Sequence, residues 1–144
     1  MPEETSQLKV DKTNLLKAGT VPVIAAVIGG LLWLMGVFGG LLGVLFWVVS
    51  AFAGYWYVNI ILKSGAKPPL AEVAVNGAIL GAVVGLAYAV AAWVAIGIRF
   101  SRLIGPGYVW GFGAVIRSLF EGAIAGAIVS AAWYAYKSGI IKTK

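Results

Sequence analysis

Among the side chains that carry charge or an amide in otherwise apolar stretches, four stand out: Glu72, Asn76, Arg117 and Glu121. Ionisable groups inside a membrane-spanning stretch cost roughly 2.5–3.5 kcal/mol at mid-helix for Arg or Asp on insertion scales, and by default they mark a functional site. The chemistry open to such a set is an ion path or contact with a charged partner inside the bilayer. Each residue also has a structural use. Arg117 and Glu121 are four apart, so they share a helical face and can neutralise each other. Glu72 would lie at a helix start, where negative charge suits the helix dipole. Asn76 can hydrogen-bond across to a neighbouring helix.

Other chemistry is excluded by residue type. The chain has no cysteine and no histidine, which removes disulfides, thiolate chemistry and the usual zinc, iron or haem ligation by this chain alone. A Ser–His pair is impossible, and no Gly-rich phosphate loop followed by Lys and Ser or Thr occurs. The single Asp, Asp11, lies in the N-terminal tail, and no lysine stands mid-span for a Schiff base. The expectation is a protein that is not an enzyme, with no metal, no cofactor and no nucleic-acid partner. The net charge of +6 resides largely on lysines that flank apolar stretches. That distribution suits orientation in a membrane and contact with anionic lipid headgroups.

These side chains need elements to hold them, and the elements follow from the distribution of charge. Of the 144 residues, 61% are hydrophobic and 11% charged, against about a quarter charged in soluble domains. No Asp, Glu, Lys, Arg or His occurs from Ala18 to Leu62, from Val73 to Ile98, or from Gly122 to Tyr136. Runs of about 18 or more apolar residues predict membrane-spanning helices, whereas barrel strands would alternate in short segments. The first run would stretch about 68 Å as one helix, over twice a hydrocarbon core of roughly 30 Å, so it must fold back. Gly36, Gly39, Gly40 and Gly43 mark the turn.

The prediction is an all-α integral membrane four-helix bundle, two antiparallel transmembrane hairpins with short polar termini. The spans run over about 21–38, 41–62, 71–98 and 113–136, within a transmembrane domain of 18–136. Thr20 is the expected N-cap of the first span, with Pro22 in its first turn. Residues 1–17 form a polar tail, either frayed or a short interfacial helix, and residues 137–144 a basic tail. KSGAKPPL (63–70) and RFSRLIGPG (99–107) are the loops, the second with a Gly-Pro-Gly turn.

Four spans put Lys9, Lys12, Lys17, Lys63, Lys67, Lys137, Lys142 and Lys144 on one side, against Arg99 and Arg102 on the other. The positive-inside rule then places both termini in the cytoplasm of a multi-pass cell-membrane protein, in keeping with a prokaryotic plasma membrane. Tyr55, Trp56, Tyr57, Trp133, Tyr134 and Tyr136 would form an inner aromatic belt, and Trp93, Phe100, Tyr108, Trp110 and Phe112 an outer one.

Small residues recur every fourth position as Gly77, Gly81 and Gly85 in the third span, and as Gly122, Gly126 and Ser130 in the fourth. Such GxxxG-like faces let helix backbones approach closely; the simplest use is the third span against the fourth, antiparallel, and the rival is self-association between copies. Asn76–Tyr88 aligns without gaps to Glu121–Trp133 with seven of thirteen positions identical, which in consecutive spans would be an inverted repeat. Along their helices, Glu121 would lie about 12 Å from the outer end and Asn76 about 7 Å from the inner end, too far apart in depth for one compact site. The leading expectation is a non-catalytic accessory or scaffold subunit. It would pack through Gly-rich faces against lipids and other transmembrane helices, its own copies or other subunits. The alternative is a small oligomeric channel or transporter using Asn76, Arg117 and Glu121.

Overall fold

The computed structural model describes residues 8–35, 39–99 and 106–140, and among these every regular element is helical. Helix α1 spans Lys12–Leu31 and ends in a 3₁₀ turn, Leu32–Leu34. Helices α2, α3 and α4 span Gly39–Lys63, Leu70–Arg99 and Pro106–Lys137. All four are long and apolar enough to cross a membrane, so the chain is a multi-pass membrane protein built as a four-helix bundle.

Helix α1 starts earlier than the expected first span, at Lys12 rather than near Val21, and absorbs part of the polar tail. Its N-cap is Asp11, not Thr20. The Asp11 carboxylate accepts from the Asn14 backbone N–H at 3.2 Å and from Asn14 Nδ2 at 2.7 Å. Thr20 instead donates its hydroxyl back to the Leu16 carbonyl at 2.8 Å, and Pro22 lies buried in the helix interior. Of the expected turn at Gly36, Gly39, Gly40 and Gly43, residues 36–38 lie outside the described residues, and from Gly39 on the chain is already helix α2. Helix α4 also starts earlier than expected. Pro106 is its first residue, where a missing N–H is harmless, so part of the Gly-Pro-Gly turn is helical.

The helix ends at the other face follow from glycine. Gly65 takes φ +74° just after α2, and its N–H donates to the Leu62 carbonyl. Gly139 takes φ +73° after α4, where the Ile140 N–H reaches back to Ala135 O at 3.0 Å. Both are left-handed caps that satisfy carbonyls left open at a helix end. Pro68 and Pro69 then reverse the chain into α3, and the Tyr134 hydroxyl ties this loop to the end of α4 by donating to Pro68 O at 2.8 Å.

Helices α3 and α4 run antiparallel in the most extensive contact of the fold, α1 packs chiefly on α3, and α2 touches α3 and α4. The start of α1, the end of α2, the start of α3 and the end of α4 therefore share one end of the bundle, joined there by the bonds of Asn76 and Tyr134. The core between the helices holds Phe46, Tyr57, Val58, Ile61, Val73, Leu80, Val84, Tyr88 and Tyr134. Tyr57 and Tyr134, expected in an exposed inner belt, are 1% and 4% exposed and belong to this core. Tyr55, Trp133 and Tyr136 do stack along the surface, with the Lys137 ammonium 4.9 Å from the Trp133 ring centre.

Candidate functional site

The two small-residue faces meet each other. A Cβ built on Gly77 would collide with Ser130 and the Gly126 carbonyl, one on Gly81 with Gly122, and one on Gly85 with the Ser118 carbonyl. Reciprocally, a Cβ on Gly122 would strike Gly81, and one on Gly126 would strike Gly77. Backbone touches backbone along the whole seam, which is the use of small residues that lipid favours. The Ser130 hydroxyl lies in the seam, 3.2 Å from Val73 O across the interface and 3.1 Å from Ala127 O in its own helix.

The contacts also respect the sequence repeat. In the alignment Gly77 corresponds to Gly122, Gly81 to Gly126 and Gly85 to Ser130. Exchanging each residue for its counterpart turns the contact of Gly77 with Gly126 into that of Gly122 with Gly81, and both exist. Glycines without a repeat signature are also closely packed, though less tightly than those of the seam. Gly30 lies against the backbone of Tyr88 and Ala92, Gly54 against Gly126 O, and Gly29 against Leu45.

Asn76 is fully buried, and its amide is committed to structure. Its Oδ1 accepts from the Asp11 N–H at 3.0 Å, and its Nδ2 donates to Lys9 O at 3.1 Å and to Glu72 O at 2.9 Å. It pins the segment that leads into α1 onto the first turn of α3. Glu72 occupies that first turn as its acidic residue, and with Lys9, Asp11, Lys12 and Thr13 it rims an open cleft. No group of three or more potential metal ligands occurs among the described residues.

Arg117 and Glu121 are in a different place. Arg117 Nε donates to Glu121 Oε1 at 2.5 Å, and the side chains are 78% and 24% exposed. They face outward from α4, away from α3. Glu121 is twelve residues from Trp133 along α4, which places it about 18 Å from the cluster of Tyr55, Trp133 and Tyr136 and near the middle of the helix. The structure thus brings Glu72 and Asn76 together at one end, brings Arg117 and Glu121 together on the outside, and keeps the two pairs apart.

Three polar features were not anticipated from sequence. The Ser50 hydroxyl is buried without a hydrogen-bond partner among the described residues. Trp33 Nε1 donates to the Tyr88 hydroxyl at 3.0 Å, and Trp133 Nε1 lies 3.3 Å from Asn59 Oδ1. Each joins residues 55 or more positions apart, or none, so no local spacing signals it. Comparison with protein-family models, with curated proteins and with solved structures finds no match for this chain.

Proposed function

We propose that this protein is a non-catalytic membrane subunit whose work is to pack against other transmembrane helices, seated in a cell membrane with both termini on the cytoplasmic side. The observation that carries this reading is the Arg117–Glu121 pair, exposed on the outer face of α4 at the depth of lipid tails. A charged pair facing hydrocarbon is poorly solvated, and protein groups brought against it would satisfy the donors and acceptors still open. Half of the α3 span is buried within the chain, but only 22% of the α4 span, so α4 has the surface to offer. The glycine faces are occupied by each other, which leaves the outer face of α4 as the surface we assign to partners.

Extraction in a gentle detergent tests the reading. The expected result is an assembly of fixed stoichiometry, with other subunits or with copies of itself. Recovery as a homogeneous monomer would count against it.

The channel or transporter alternative draws on Asn76, Arg117 and Glu121. In one copy the Asn76 amide is taken up by Lys9, Asp11 and Glu72, so a polar route would have to form between copies. Ion flux into liposomes carrying the purified protein, compared with Glu121→Gln, separates the two. Flux that depends on Glu121 would favour transport.

A further inference from the structure

The outer face of α4 has a defined shape. Phe112, Ile116, Phe120, Ile124 and Ile128 form a ridge with a spacing of four, and each is 46–62% exposed. Beside the ridge run Gly113, Arg117 and Glu121. A Cβ added to Gly113 would meet nothing within 4 Å among the described residues, which leaves the backbone there open to close approach. Gly113, Arg117, Phe120, Ile124 and Ala127 follow the alternating four-and-three spacing of a helix–helix seam.

The charge on this face is self-complementary. Arg117 reaches Glu121 through Nε alone, although a guanidinium has five donors and a carboxylate about four acceptor sites. The pair is neutral as a whole, so a partner with a single opposite charge would leave the set unbalanced. A second copy inserted in the same direction brings its own Arg117 and Glu121 to the same depth. About a two-fold axis along the membrane normal, each guanidinium can then reach both carboxylates. The cluster holds two positive and two negative charges, alternating, and the apolar ridge shields it from lipid.

We propose that two copies of this chain associate in parallel through α4, with the Arg117–Glu121 pairs joined into a four-charge cluster. The proposal rests on the reading of the chain as a helix-packing subunit and names its partner. The absence of cysteine makes it directly testable, because one introduced thiol reports alone. In the full chain in native membranes, Ile124→Cys should yield a disulfide-linked dimer on mild oxidation. Ile28→Cys, 55% exposed on α1, should not.

In the Ile124→Cys background, Glu121→Arg sets four guanidiniums together and should weaken self-association by about a hundredfold. Mixing it with Arg117→Glu should restore a cross-linked heterodimer, which also shows that both variants fold. Equal cross-linking at Ile28 and Ile124, undiminished cross-linking of Glu121→Arg, or no restoration on mixing would each overturn the proposal. An assembly with a different subunit and no self-contact at Ile124 would overturn it too, while leaving the function proposed above standing.

Discussion

Asn76 and Glu121 occupy equivalent positions in the two similar segments and meet opposite fates. Asn76 is covered by the chain that leads into α1, and its amide makes two hydrogen bonds there and a third to Glu72 O in its own helix. Glu121 has no such cover, and its carboxylate is left with Arg117 at the surface. The Arg117–Glu121 pairing was legible from spacing alone, because residues four apart always meet on a helix. The Asn76 partners were not, since Asp11 and Lys9 lie more than 60 residues away in sequence. Asn76→Ala should leave the Asp11 N–H and the Lys9 carbonyl unsatisfied and cost about 2–3 kcal/mol. Unfolding in detergent should register the loss, and limited proteolysis should cut ahead of Lys12 faster than in the parent chain.

At the scale of elements, the glycines differ by what they face. Gly81 lies against the backbone of Gly122, which cannot move aside as a flexible side chain could. Gly81→Val should therefore force α3 and α4 apart and cost at least about 1–3 kcal/mol, seen as a lowered midpoint of thermal unfolding. Gly43 is also helical, but a Cβ there meets nothing within 4 Å among the described residues. Gly43→Ala should be neutral or raise stability by up to about 1 kcal/mol, through helix propensity alone. The small-residue spacing in the third and fourth spans announced a seam, with the third span against the fourth as its simplest use and self-association as the rival, and the two faces do close on each other. Helix ends were less legible. The tail before α1 reads as solvent-loving, and only the Asp11–Asn14 cap and the Asn76 anchor draw it into the helix.

For the whole molecule, four spans leave both tails at the lysine-rich end. A membrane-impermeant thiol reagent applied to intact cells should label Met35→Cys, which stands at the opposite end of α1. Lys9→Cys and Ser138→Cys should react only after the membrane is opened. Labelling of either tail from outside would contradict the cytoplasmic placement of the termini, and opposite behaviour of the two tails would contradict four spans.

The number of spans and the all-helical class could be read from residues alone, because charge avoids hydrocarbon and a backbone in lipid must bond within its own helix. The rotation of each helix about its axis could not. Lipid is as apolar as leucine, so a span that is hydrophobic all round carries no stripe telling inside from outside. Only packing in three dimensions turned Gly81 and Gly126 inward, sealed Asn76 under the start of α1, and left Arg117 and Glu121 facing out.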